Sequence, residues 1–265
     1  MGQEEYTLTQ KAIVEFLGTF SIVFIGAGAV VVDLMTAPPD AGTEFVLDGL
    51  GMGTLGWVGI ALAFWGAVAI PIYLFGHVSG QHINPAVTIG FLVLRRIDGK
   101  SATVYIVAQL AGAIVAGVLF TLIRGPEAVE IASMGATAPF PGVEQWQAAL
   151  SEGVITFFLM LTVVAMAVDE RTPDSFAGLA IGGIVAVGVL TTGNITGGSF
   201  NPARTLGPYV TTTAFGGESL WAHAWIYVVA PTAGAIAGAI TYDRVVLRPH
   251  VGSEPDASDV APADD

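Results

Sequence analysis

The sequence predicts an all-α membrane protein with six spanning helices and two re-entrant half-helices in an inverted repeat. Three observations carry that prediction. The 265 residues are 53% hydrophobic and 12% charged, against about 25% charged residues in a soluble domain. Six apolar runs, roughly 12–32, 55–75, 102–123, 148–168, 176–193 and 222–246, each approach the ~20 residues that cross a bilayer as a helix. A frame also occurs twice, as GHVSGQHINPAVTIG at 76–90 and GNITGGSFNPARTLG at 193–207, at a constant offset of 117 (201 − 84).

The first run has no signal-peptide cleavage site behind it and is expected to stay as a span; it carries Glu15 near its start. Asp33–Thr54, with Pro38, Pro39 and Asp48, reads as a loop before the second run. The first copy of the frame follows. Asn84 suits a helix N-cap, because its side-chain oxygen accepts a first-turn amide. Pro85 suits the first helical position, where its missing N–H is not needed. A helix from Asn84 to Leu94 would be only ~16 Å long, half a membrane, so it must re-enter with its Gly-rich approach loop buried in protein.

After the third run, residues 124–147 form a connecting loop, and the fourth run carries Glu152. The fifth leads into the second frame, where Asn201-Pro202-Ala203 starts a half-helix to Thr211; the sixth ends near residue 247. The remainder, 248–265, holds Glu254, Asp256, Asp259, Asp264 and Asp265 without a base and reads as a solvated, disordered tail.

The chain is thus a single membrane unit of two halves, 1–123 and 148–247. Glu15-Phe16-Leu17-Gly18-Thr19-Phe20 echoes 152–157, and YIVAQLAGAIVAG (105–117) echoes YVVAPTAGAIAGA (227–239). Each half has three spans. Three is odd, so the second half enters from the opposite face and the half-helices meet near the midplane. Lys11, Arg95, Arg96, Lys100, Arg171, Arg244 and Arg248 fall on the side of the termini, which the positive-inside tendency makes cytoplasmic. The expected location is the cell membrane.

Two opposed half-helix starts, each about half a positive charge, would oppose a monovalent cation by about 4 kcal/mol at ~4 Å and an effective dielectric near 20. The amides of Asn84 and Asn201 remain donors for the oxygen of a neutral solute, the logic of pores that exclude protons and cations. Other classes fare poorly. There are no cysteines, hence no thiolate chemistry or disulfides. The net charge of −13 argues against nucleic acid. No nucleophile–base pair, metal cluster or phosphate loop points to an enzyme or a cofactor.

The paired Asn-Pro-Ala boxes, Arg204 after the second, Glu15, Glu152 and the Ser79-Gly80-x-His82 lead-in resemble the aquaporin/glycerol-facilitator (major intrinsic protein) family over about residues 10–247. The resemblance implies the aquaporin fold and a homotetramer in lipid with one pore per subunit. It also implies a narrowing at four positions, which correspond to Phe64, Val189, Gly198 and Arg204. Water-specific members place an aromatic, a His, a small residue and Arg there; facilitators place two aromatics, a Gly and Arg. Val189 replaces the His and Gly198 lacks the second aromatic, and Trp65 beside Phe64 leaves the wall assignment open by one residue. Thr205, Tyr209 and Tyr227 match water-specific members and Val228 does not. The mixture looks most like the archaeal aquaporins.

Arg204 at membrane depth is costly, which marks it as functional; the bland alternative is an interfacial arginine. Glu15 and Glu152 are read as acceptors for buried loop amides rather than proton relays. His82 is read as a loop anchor, with a pH gate as the alternative. The expected function is passive transport of water, with leakage of small neutral solutes such as glycerol. The rivals are a dedicated glycerol facilitator and an ion- or proton-coupled transporter, whose coupling groups would reduce to the two glutamates and nearby histidines.

Overall fold

The protein is described here by a computed structural model covering residues 6–37 and 53–247. The expected acidic tail and most of the Asp33–Thr54 strip lie outside those residues. Six helices are long and apolar enough to cross a membrane: α1 (Leu8–Met35), α2 (Gly56–Ser79), α4 (Gly99–Arg124), α5 (Gln145–Ala167), α6 (Ala177–Thr196) and α8 (Ala224–Tyr242, continued to Leu247). The half-helices are α3 (Pro85–Val93) and α7 (Pro202–Ala214). The second runs past its expected end at Thr211.

Packing follows the inverted repeat. In the first half α1 lies against α4, and in the second α5 lies against α8; α2 and α6 meet between the halves. The half-helices cross over, α3 packing on α8 and α7 on α4. Glycines let the paired spans touch. A Cβ on Gly112 of α4 would stand 2.3 Å from the Phe16 carbonyl oxygen, and one on Gly234 of α8 2.2 Å from that of Gly153. Small residues at such crossings are the ordinary device of membrane helix pairs.

Two features were not legible in the sequence. Asp33 is the buried last-turn acid of α1, and its Oδ1 accepts the amides of Leu55 and Gly56 at 2.9 and 2.8 Å, capping α2. Residues Ile22–Ala27 of α1 are π-helical, and within them a Cβ on Gly26 would collide with the Phe64 ring, 2.4 Å from its Cδ1.

On the face of the termini, Asp169 in the connection after α5 binds Arg171 through both oxygens (2.7 and 2.6 Å) and accepts the Tyr242 hydroxyl at 3.0 Å. Hydrogen bonds from Arg171 hold its carboxyl well below the usual range. Stability from a depressed carboxyl is present above its unfolded pKa, about 3.9, and fades as pH falls through the folded value. Asp169→Asn is therefore expected to lower the melting temperature in detergent at pH 7, and the gap to wild type should begin to narrow below about pH 4 and close as pH falls through the depressed folded value. A gap that persists unchanged at the lowest pH would contradict the linkage.

Candidate functional site

The two boxes fold alike because each has an asparagine cap and a following proline. Asn84 Oδ1 accepts the Ala86 amide at 2.9 Å, and Asn201 Oδ1 accepts that of Ala203 at 2.9 Å and that of Arg204 at 3.3 Å. Each carboxamide also reaches across to the other box. Asn84 Nδ2 donates to the Phe200 carbonyl at 2.8 Å, and Asn201 Nδ2 to the Ile83 carbonyl at 2.8 Å. This reciprocal brace uses one N–H of each amide and leaves the second free for a solute.

The approach loops are strained in register. Gly80, Gln81 and Ile83 have φ of 85°, 46° and 43°, and their counterparts Gly197, Gly198 and Phe200 have 80°, 60° and 56°. A bulky or β-branched side chain in that region costs energy unless surrounding structure holds it. The glutamates hold it. Glu15 accepts Ser79 Oγ (2.7 Å) and the amides of His82 (2.8 Å) and Ile83 (2.7 Å). Glu152 accepts Thr196 Oγ1 (2.6 Å) and the amides of Ser199 (3.0 Å) and Phe200 (2.7 Å). Both are fully buried. Gln109 Nε2 adds a fourth bond to Glu15 at 2.8 Å, where Pro231 stands in the second half. Tyr105 donates to the Ser79 carbonyl at 3.0 Å and Tyr227 to that of Thr196 at 2.7 Å. Neither tyrosine nor Gln109 was singled out for this role, although the repeat aligns the tyrosines with each other.

His82 lines the central cavity. Its ring stacks on Phe91 (4.7 Å) and meets Tyr105 edge-on (5.2 Å), and Nδ1 lies 3.2 Å from Thr88 Oγ1. His77 lies in the last turn of α2, 5.8 Å from the Tyr6 ring.

A cavity of about 50 Å³ runs between the two loops, room for a few waters at about 10–15 Å³ each by the same measure. Asn84, Asn201, Phe64, Gly198 and Arg204 line it, with Ile181 and Val185 from α6. Arg204 is buried; its Nη1 donates to the Gly135 carbonyl at 2.8 Å, and its guanidinium carbon lies 5.1 Å from the centre of the Phe64 ring. Its Nε has no hydrogen-bond partner among the described residues. Trp65 faces α6 instead, giving its Nε1–H to the Leu179 carbonyl at 3.2 Å, so of the two it is Phe64 that lines the cavity. Val189 is buried and does not line the cavity; its Cα and Cγ2 lie 3.5 and 3.6 Å from where a Gly198 Cβ would be.

The connecting loop contributes more than its sequence promised. Besides Gly135, it brings Thr137, whose hydroxyl lies 2.7 Å from that of Thr205 and whose carbonyl accepts the Tyr209 hydroxyl at 2.6 Å. Nothing in its composition announced that it dips to the arginine.

The "Major intrinsic protein" family profile matches residues 3–242. The chain belongs to the major intrinsic protein family. It is 49% identical to "Aquaporin AqpM" of Methanothermobacter thermautotrophicus over 240 residues, 89% of this chain and 97% of the relative. It is 46% identical to "Probable aquaporin AqpM" of Archaeoglobus fulgidus, again over 89% and 97%. Among solved structures, the aquaglyceroporin from Plasmodium falciparum aligns with a TM-score of 0.77 at 27% identity, covering 91% of this chain and 97% of that one. The major intrinsic protein fold, a multi-pass membrane channel and not an enzyme, accounts for the inverted repeat and the crossed half-helices.

Proposed function

We propose that this major intrinsic protein is a passive channel for water that also passes small neutral polyols such as glycerol and refuses ions and protons. The observation that carries the reading is the brace between the boxes. Each asparagine spends one amide proton on the opposite loop and keeps one toward the cavity, so two fixed donors meet an oxygen at the crossing of two positive helix starts. A hydroxyl oxygen accepts from both; a cation finds donors where it needs acceptors. The narrowing is assigned to Phe64, Gly198 and Arg204, with Val189 buried behind Gly198 rather than in the cavity wall. With no imidazole at Val189, that wall offers a solute fewer polar partners than in a water-specific member. Relatives named as aquaporins, and a structural neighbour that is an aquaglyceroporin, support both halves of the reading.

The test is paired stopped-flow light scattering of proteoliposomes, comparing osmotic shrinkage with glycerol re-swelling. Water flux no faster than in empty vesicles would sink the reading, and flux that stopped on collapse of a proton or sodium gradient would favour a coupled transporter. Arg204→Val removes a unit charge. At ~5 Å and an effective dielectric near 20 such a charge opposes a cation by about 3 kcal/mol, roughly a hundredfold. The variant is expected to conduct protons or small cations measurably; conductance at background would assign exclusion to the helix starts alone.

The chain is further proposed to sit in the cell membrane with both termini cytoplasmic, supported by Lys11, Arg95, Arg96, Lys100, Arg171 and Arg244 on the terminal side. A homotetramer with one pore per subunit is proposed from the family, and cross-linking in native membranes would test it.

A further inference from the structure

We propose that Phe200, the residue before the second box, is a specificity-determining residue whose ring supplies the second aromatic wall that Gly198 lacks. The proposal rests on the channel reading above. Three observations place the ring. The Phe200 backbone is pinned on both sides, its amide donating to Glu152 Oε2 at 2.7 Å and its carbonyl accepting Asn84 Nδ2 at 2.8 Å. An aromatic residue at a φ of 56° lies in a region such side chains avoid, so this position holds its ring against local preference. Phe200 lines the cavity although only 2% of its surface is exposed.

The neighbours are shaped to receive the ring. On α6, a Cβ added to Gly188 would stand 2.9 Å from both Cε2 and Cζ of Phe200, so the ring lies directly on the helix backbone. Its tip Cζ is 3.3 Å from the point a Gly198 Cβ would occupy. Ile181 and Val185 bring α6 to the cavity wall, but further along the helix neither Gly188 nor Val189 is part of that wall. The ring covers α6 at that level. An empty position at Gly198 and a second one at Gly188 are therefore joined by one side chain belonging to neither.

The chemical consequence is a size and polarity filter of mixed character. A polyol sliding through needs donors and acceptors for its hydroxyls on one side and an apolar surface for its carbon chain on the other. Arg204 and the two asparagines serve the hydroxyls, and Phe200 together with Phe64 serves the carbons. Water makes no use of the second surface. The ring should thus decide how long or bulky a polyol passes, with little effect on water.

The experiment is flux of water, glycerol and a four-carbon polyol through proteoliposomes of wild type, Phe200→Ala, Phe200→Leu and Gly188→Ala, each normalised to reconstituted protein. Phe200→Ala is expected to raise the four-carbon-to-water ratio roughly tenfold, the lower end of what one methylene decides in an apolar pocket, with Phe200→Leu intermediate. Gly188→Ala pushes the ring off its seat and is expected to lower the glycerol-to-water ratio. Where Phe200→Ala does not fold, Phe200→Leu and Gly188→Ala carry the test. Ratios equal to wild type in every variant that reconstitutes, including variants in which all fluxes fall in parallel, would overturn the proposal and make the ring packing alone. Failure of the channel reading itself looks different: wild type would then show no water flux above empty vesicles.

Discussion

Gly234→Val is expected to abolish accumulation of folded protein, with Gly234→Ala already strongly destabilising. A Cβ at this position meets the backbone of α5, 2.2 Å from the Gly153 carbonyl oxygen and 3.1 Å from the Phe157 nitrogen. A side chain can rotate away, but backbone can yield only if the two spans move apart. Overpacking of a tight interior typically costs about 1–3 kcal/mol, and Val adds two methyls to that. Stability of an ordinary domain is about 5–15 kcal/mol, so the larger substitution removes a large share of it. Gly183 of α6 serves as control, because a Cβ there meets nothing within 4 Å. Monodisperse yield and melting temperature in detergent check the expectation. If the Gly234 and Gly183 variants behave alike, close approach of α5 and α8 does not govern stability. Gly112, 2.3 Å by the same measure from the Phe16 carbonyl oxygen, should behave as Gly234 does.

Glu152→Ala carries the second large effect. It removes the acceptor of the Thr196 hydroxyl and of two buried amides, those of Ser199 and Phe200. A buried donor left unpaired costs about 1–3 kcal/mol, so the two amides alone cost about 2–6 kcal/mol. The loss is local to the loop that holds Phe200 at positive φ and its carbonyl against Asn84. Channel that still folds is therefore expected to lose most of its water flux per molecule. Glu152→Gln keeps one acceptor oxygen and the shape of the side chain, and should lose less on both counts. Thermal stability and water flux of the two variants, measured side by side, decide the role. If both lose flux equally while keeping wild-type stability, the charge itself and not the loop scaffold is what matters.

Much of the scaffold was legible because the repeat applies one hydrogen-bond plan twice. The offset of 117 that aligns the boxes also aligns Ser79 with Thr196, His82 with Ser199 and Ile83 with Phe200, and these are the partners of Glu15 and Glu152. Two glutamates in otherwise apolar spans needed partners, and the nearest irregular backbone was the loop before each box. Apolar run length located the spans, with α1 and α4 extending beyond their runs through polar ends that hydropathy does not register. By contrast, the reach of residues 133–137 to Arg204 and Tyr209 left no trace in sequence. Carbonyl groups do that work, and every residue type carries a carbonyl. Asp33 looked like a loop acid because its use as a cap for α2 depends on where α1 ends in space.

What the sequence by itself determined is the topology: six spans, two half-helices, their opposed entry and the caps that start them. Those follow from run length, from Asn-Pro at each helix start and from an odd number of spans per half, all of which are local or countable. Tertiary structure alone decided which side chains face the solute. Phe64 rather than Trp65 turns inward because Gly26 leaves room for its ring, and Phe200 reaches the wall because Gly188 and Gly198 leave space from opposite sides. Such choices depend on the absence of a side chain on another helix, a complementarity between distant positions that no spacing within one segment encodes.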